Sequence, residues 1–354
     1  MAEEAKAVGW GILGTADIAR KLVRAISRAG GSRLVAVGSR TLERVESWCE
    51  QNQIPSEVAR YGNYEEVLRD GKVDVVYIPL PTSMHKEWVQ KAADAGKHIL
   101  CEKPVGMNAQ EVEEMIACCE HNNVQFMDGV MWMHHVRVPV LRKAVDNQDM
   151  MGEVVRIVTS FTFFGGEEFD RTNIRMKSNL DGLGCVGDLG WYNVRAIVWA
   201  FQKEPNEDYQ VYAVAHKRNS EGVIKSLNAT LFYDDGRFAS LDCGFDTNCR
   251  QTLEIAGTKS SIRLDDFVLN ASEESSSFIV NTSAFKDSGM IVEQTSSKHE
   301  AGGCCQEVRM VECMSKIVRT RQLEDYWPKI ALQTQRTIDA IMKSAESGQP
   351  VKLK

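Results

Sequence analysis

Three things are missing from this 354-residue chain, and each absence closes off a class of function. No two of its ten cysteines are separated by two residues; Cys118-Cys119 and Cys304-Cys305 are adjacent pairs, so there is no zinc-type or thioredoxin-type spacing. With 42 basic against 49 acidic residues, for a net charge of -7, there is no basic surplus that would suit nucleic acid or anionic lipid. No apolar run approaches the ~20 residues that span a bilayer, and no apolar segment flanked by basic residues stands at the N-terminal side. The cysteines therefore read as reduced thiols, and the expected compartment is the cytoplasm. What remains is a chain with 43% hydrophobic residues, long enough for two domains, whose expected partners are small molecules and copies of itself.

The first third alternates strand-like and helix-like stretches. Residues 7–13 form an apolar strand, and residues 18–29 place Ile18, Leu22, Val23 and Ile26 on a helical spacing. Between them lies the small-residue turn Gly14, Thr15, Ala16, Asp17. The unpaired N–H groups of a helix's first turn, set behind such a turn, make an anion site suited to a dinucleotide pyrophosphate. A literal G-x-G-x-x-G match at Gly9, Gly11 and Gly14 is a decoy, because it leaves only the few residues before Gly9 to make the first strand. With the turn at Gly14, the motif's three glycine positions hold Gly14, Ala16 and Ala19.

The next strand, residues 34–38, ends about 20 residues after the turn, where an NAD site would carry an acidic residue for the ribose diol. Here the strand ends in Ser39-Arg40, with Arg44 one helical turn on. A hydroxyl and one or two guanidinium groups suit a 2′-phosphate, which favours NADP over NAD. Further strands are expected at residues 73–78, 98–101 and 124–127, with helices at 63–69, 84–95 and 109–121. That alternation implies βαβ units and a parallel sheet covered on both faces. Pro79, Leu80, Pro81 and Thr82 would sit at one strand end beside Glu102 and Lys103 at the next, with His85 in the first turn of the following helix. Pro104 sets its own φ and biases Lys103 towards an extended backbone, so the ammonium is expected above the sheet edge.

The remaining two thirds change character. A helix is expected near residues 138–147, then long alternating runs at 154–164, 209–216, 224–233, 238–245, 252–256 and 261–264. Asp235-Gly236 joins two of them as a hairpin turn. These predict a mostly antiparallel sheet backed by helices on one side, with its other face an oligomer surface. Residues 271–303 read as surface loops or edge strands, and helices at 306–320 and 328–347 close the chain. The adjacent His134 and His135 point apart in a helix or strand, so no metal is assigned. One segment differs from its surroundings. The glycine-rich run 182–187 leads into Asp188 and Tyr192, an i, i+4 carboxylate and phenol on one helix face, which suits acid/base work.

Together, the Gly14-Thr-Ala-Asp-Ile-Ala19 turn, the segment Gly96-Lys-His-Ile-Leu-Cys-Glu-Lys-Pro104 and the glycine-rich run ending Asp188-x-x-x-Tyr192 resemble the glucose-fructose oxidoreductase, inositol dehydrogenase and MocA (Gfo/Idh/MocA) family. Within that family the chain resembles uncharacterised plant oxidoreductases, with NADP-dependent dihydrodiol and xylose dehydrogenases as relatives. Many members carry histidine where Tyr192 stands, a departure that shifts the substrate and not the reaction. The resemblance implies a Rossmann NADP-binding domain, residues 1–128, with a doubly wound parallel sheet. It also implies an α+β domain, residues 129–354, with a large open, mostly antiparallel sheet used for substrate binding and for a homodimer or higher oligomer.

The resemblance further implies hydride transfer between NADP(H) and a hydroxyl or carbonyl carbon of a sugar or related cyclic alcohol. Tyr192 would be the acid/base and Lys103 the charge that lowers its pKa and binds the substrate oxygen, with Asp188 orienting both. The cofactor would be held by Gly14, Thr15, Ala16, Asp17, Ile18, Ser39, Arg40, Arg44, Pro79, Leu80, Pro81, Thr82, His85, Glu102 and Lys103. Trp132, Arg175 and Trp191 are expected to line the substrate side. A non-catalytic NADP-binding sensor or scaffold and an NAD-dependent inositol-type dehydrogenase are the competing readings.

Overall fold

The computed structural model describes residues 7–201, 209–286, 289 and 291–353. They fall into two compact units, one reaching to His134 and taking in Cys305–Leu332, the other made of His135–Cys304 with Gln333–Lys354. The chain thus returns to its first unit near the end, an arrangement that a single cut after residue 128 does not express.

In the first unit, six strands, β1 (Val8–Leu13), β2 (Ser32–Gly38), β3 (Ala59–Tyr61), β4 (Val75–Ile78), β5 (His98–Cys101) and β6 (Phe126–Asp128), pair in parallel in the order β3-β2-β1-β4-β5-β6. Helices Ala19–Arg28, Leu42–Gln51, Tyr64–Arg69, His85–Asp94 and Ala109–His121 make the crossovers. Thr41, Asn63 and Asn108 cap three of them, each side-chain oxygen accepting from the backbone N–H three residues on. Strand order reverses between β1 and β4, the position where open parallel sheets bind ligands.

The register of β1 is the one expected with the turn at Gly14. Gly9 and Gly11 lie inside β1, and a Cβ on Gly9 would stand 1.8 Å from the Lys72 carbonyl oxygen, so these glycines admit close packing. Gly14 is the one that turns the chain, at φ +116°. Helix Gln306–Thr320 belongs to the same unit: Ser315 Oγ accepts from Trp10 Nε1 (3.2 Å) and lies 2.8 Å from Ser32 Oγ.

In the second unit, β7 (Val154–Phe164), β8 (Tyr209–Arg218), β9 (Ile224–Tyr233), β10 (Phe238–Gly244), β11 (Asp246–Gly257), β12 (Ser260–Leu264), β13 (Ser277–Lys286), β14 (Ile291–Glu300) and β15 (Val351–Leu353) form one sheet, ordered β14-β13-β12-β11-β7-β10-β9-β8-β15. All neighbours are antiparallel except β7 and β10. Within the stretch expected as loops or edge strands, residues 277–286 and 291–300 pair as the β13–β14 edge ribbon, and residues 287, 288 and 290 lie outside the described residues. Helix Trp191–Phe201, buried along its whole length, covers one sheet face against β7 and β10. Asn193 fixes it there, accepting from Thr159 Oγ1 and donating to the Asp242 carbonyl. One row across the other face reads Tyr212, Thr230, Ser240, Val158, Glu254. Tyr212 and Val158 are exposed there.

Candidate active site

The first unit gathers the expected nucleotide residues at the carboxyl ends of its strands. The Gly14 N–H donates to the Gly38 carbonyl (2.8 Å), and a Cβ on Gly14 would meet Leu80 Cδ2 at 3.0 Å, so the turn after β1 is held between the ends of β2 and β4. Thr15, Ala16, Asp17 and Ile18 lead into helix Ala19–Arg28, whose N-terminal cap uses no side chain. Asp17 is exposed and paired with Arg20 at 3.0 Å. Thr15 Oγ1 and Ser39 Oγ are 3.5 Å apart.

Ser39 is buried, whereas Arg40 and Arg44 are exposed. Tyr64, which the sequence reading overlooked, joins the three. Burial raises its phenol pKa, while Arg40, Arg44 and a hydrogen bond with Ser39 oppose that rise. Its ring stands edge-on to Trp88 at 4.8 Å. No pattern in the chain singles Tyr64 out, since it looks like an ordinary first residue of a helix.

Pro79 to Thr82 leave β4, and Leu80 and Thr82 are buried. His85 differs from expectation. It is 1% exposed, with Nε2 2.8 Å from the Leu80 carbonyl and Nδ1 3.0 Å and 3.1 Å from those of Pro104 and Val105. With both ring nitrogens committed to backbone, His85 offers none to a nucleotide; it ties the loops after β4 and β5 together. Burial depresses its pKa, against those carbonyl contacts. In the loop after β5, Glu102 accepts from Tyr77 Oη (2.6 Å) and from the Lys103 N–H (3.2 Å), and the Lys103–Pro104 peptide is cis. Lys103 is half-buried.

In the second unit the glycine-rich run does not start a plain α-helix. Val186–Gly190 forms a π-helical turn before helix Trp191–Phe201. Gly184, at φ +56°, passes so close to β9 that a Cβ would lie 2.3 Å from the Ile224 carbonyl oxygen. Wide turns of this kind recur at functional sites, and this one carries Asp188, whose side chain is 8% exposed. Arg175 Nε reaches Asp188 Oδ1 at 2.7 Å. The Asp188 charge is the largest cause that raises the Arg175 pKa, and Asp181 and Tyr192 add to it. Arg175 thus meets Asp188 directly, and the charges of Asp181 and Tyr192 bear on it. Phe161 stands edge-on to the Tyr192 ring at 5.7 Å; alternation along β7 could have placed Phe161 on this face, whereas nothing marked Asp181.

The tryptophans differ from expectation. Trp191, expected on the substrate side, is 0% exposed at the start of a helix that is buried along its whole length. Trp132, on the short turn Met131–His134, is also buried.

The residues fit a dinucleotide: a positive-φ glycine at the switch point, a helix start behind it, and hydroxyl and guanidinium groups where a 2′-phosphate would lie. Among the described residues, no three His, Cys, Asp or Glu side chains gather as a metal site. Nor is any helix long and apolar enough to cross a membrane.

Comparison with known proteins follows the same division. A family model described as "Oxidoreductase family, NAD-binding Rossmann fold" matches residues 8–130, and a GFO/IDH/MocA C-terminal domain model matches residues 140–263. The chain is 31% identical over 350 residues to D-xylose 1-dehydrogenase (NADP(+)) 2 of Haloferax volcanii, covering 97% of this chain and 99% of that protein. It is 31% identical over 257 residues to the trans-1,2-dihydrobenzene-1,2-diol dehydrogenase of Mus musculus, covering 72% of this chain and 73% of that one. An aldose-aldose oxidoreductase from Caulobacter crescentus complexed with glycerol superposes with a TM-score of 0.82 at 25% identity, over 98% of this chain and 100% of that one. A 3-ketoreductase from Actinomadura kijaniata, complexed with NADP and TDP-benzene, shares the fold with a TM-score of 0.82 at 22% identity, over 96% and 98% of the two chains. These relatives are archaeal, animal and bacterial, and the plant affinity expected from the sequence rests on none of them.

Proposed function

The chain belongs to the Gfo/Idh/MocA oxidoreductase family, and from that premise we propose that it is an NADP-dependent oxidoreductase of hydroxyl-bearing carbons in sugars or related cyclic alcohols. The observation that carries this reading is the Asp188–Tyr192 pair, held with Arg175 in a chain whose first unit is a complete dinucleotide fold. The names of a xylose dehydrogenase and a dihydrodiol dehydrogenase among its relatives support a neutral aldose or cyclic diol as substrate.

When bound, the nicotinamide exchanges hydride with the substrate carbon. The chain's own task is the hydroxyl proton. In oxidation, Tyr192 Oη takes that proton, and in reduction it returns it. A phenol with an ordinary pKa near ~10 is a weak base at neutral pH, so nearby positive charge is needed to favour the phenolate. Lys103 is assigned as such a charge and as a donor to the substrate oxygen; Asp188 orients the reacting groups. The Gly14 turn and helix start hold the pyrophosphate, while Ser39, Arg40 and Arg44 hold the 2′-phosphate. Residues 1–128 are assigned to the nucleotide and residues 129–354, apart from the segment 305–332 that packs with the first unit, to substrate and assembly.

A cytoplasmic location and a homodimer through the open face of the nine-stranded sheet belong to the same proposal. They are supported by cysteines that stand as free thiols and by exposed Val158, Tyr212, Val214 and Phe232 on β7, β8 and β9.

The test is to titrate the full chain with NADPH, screen aldoses and cyclic diols for absorbance change at the nicotinamide band, and repeat with Tyr192→Phe and Lys103→Ala. Each substitution is expected to lower kcat by roughly 10² to 10⁴, and the double variant to lose little beyond the worse single. NADPH binding without turnover of any substrate would favour a sensor, and near-normal turnover in either variant would remove that residue from the mechanism.

A further inference from the structure

We propose that Arg175 is a positioning residue of the acid/base site: it fixes the Asp188 carboxylate, which stands on a π-helical turn four residues before Tyr192. This rests on the oxidoreductase reading above and adds a residue to its machinery.

A carboxylate that is 8% exposed requires a compensating charge, since burying it alone is strongly unfavourable. The 2.7 Å contact from Arg175 Nε supplies one, in the short range typical of charge-assisted hydrogen bonds. Backbone geometry gives that contact a task. Asp188 lies on the π-helical turn Val186–Gly190, which widens the helix just before Trp191, so the ordinary i, i+4 relation does not by itself aim its carboxylate alongside Tyr192.

Arg175 is itself held in advance of any substrate. It sits on the tight turn Ile174–Met176, where Asn173 Oδ1 accepts from the Arg175 N–H (3.1 Å) and from Nη1 (3.4 Å). The same turn is pinned from the other side, because the Met176 carbonyl accepts from Asn219 Nδ2 at 2.7 Å and the Met176 side chain is buried. Asn219 follows directly on β8. A continuous chain of contacts thus runs from the sheet through Asn219, the turn and the guanidinium to Asp188.

The planar fork is what makes this an arginine's task. Nε and Nη1 are taken by Asp188 and Asn173, and among the described residues Nη2 has no protein partner, while 37% of the side chain is exposed. A lysine at this position would bring charge without a second fixed donor.

The test uses the full chain with Arg175→Met, Arg175→Lys, Asp188→Asn, the double variant Arg175→Met/Asp188→Asn, and Arg175→Ala. Thermal melting of the unliganded proteins is read first: if Arg175 holds Asp188, the double variant melts no lower than the worse single. Steady-state kinetics follow. Arg175→Met is expected to lose at least tenfold in kcat with NADPH affinity within twofold of wild type. The Met/Asn double variant should show no further loss, Arg175→Lys should recover only part of the activity, and millimolar guanidinium should restore Arg175→Ala severalfold. Additive melting losses, an unchanged kcat in Arg175→Met, or a loss that neither lysine nor guanidinium relieves would each overturn the proposal. If wild type fails to bind NADPH, the oxidoreductase reading falls, while the melting cycle still decides whether the Arg175–Asp188 coupling exists.

Discussion

Cofactor choice offers the sharpest perturbation, because the two arginines assigned to the 2′-phosphate are exposed and can be changed without touching the core. Arg40 and Arg44 are exposed, and Ser39, the hydroxyl between them and the Gly14 turn, is buried. A hydrogen bond to a charged group contributes about 1.5–3 kcal/mol, and exposure to solvent and salt places these arginines at the lower end. About 1.4 kcal/mol is one decade in affinity. Arg40→Ala is therefore expected to weaken NADPH about tenfold, and Arg40→Ala with Arg44→Ala by up to about a hundredfold, less where the two share one phosphate oxygen. NADH, which lacks the 2′-phosphate, is expected to bind all three proteins alike. The assay is titration of nicotinamide fluorescence at two ionic strengths, and the gap between cofactors should narrow as salt is raised. An NADPH-to-NADH ratio that stays constant from wild type to the double variant would refute the reasoning, since the arginines would then be ordinary surface charges.

Two further outcomes test the frame itself. Gly9→Ala places a methyl 1.8 Å from the Lys72 carbonyl oxygen and is expected to cost roughly 1–3 kcal/mol, read as a lowered Tm; if it spared stability and abolished NADPH binding instead, the literal glycine motif would be the nucleotide turn. Stability should also fall in mild acid. Burial first, and the Arg137 guanidinium second, push buried His135 down to about 4 against an opposing Asp266, and burial likewise lowers His85 and His98. The unfolded chain takes up these protons near ~6.5 and the folded chain only lower, so this stability is full above that pH and is lost as pH falls, at up to ~1.4 kcal/mol per unit for each histidine. Tm is expected to drop from pH 6.5 to 5 and His135→Gln to flatten the drop; an equally steep drop in that variant would clear His135.

The parts of this molecule that can be found from the chain are those in which a local pattern and the tertiary structure make the same demand. In β1 and the helix behind it, strand length, helical spacing and the need for one residue at positive φ all select Gly14. Asn63, Asn108 and Gly96 mark element ends for equally local reasons. By contrast, β3 and β15 have three residues each, too few to display a period of two, and the parallel pairing of β7 with β10 depends on partners that no local pattern names. The site was half legible for the same reason. Asp188 and Tyr192 were found because their spacing matches an α-helix, yet the backbone there is a π-helical turn. Trp191, expected on the substrate side, is wholly buried, whereas Arg175 meets Asp188 directly and the charge of Tyr192 bears on it. On a turn of that shape a buried carboxylate is directed by its partners as well as by the helix. The partner Arg175 comes from thirteen residues upstream, where a carboxylate and a guanidinium meet across a turn that neither periodicity nor composition announces.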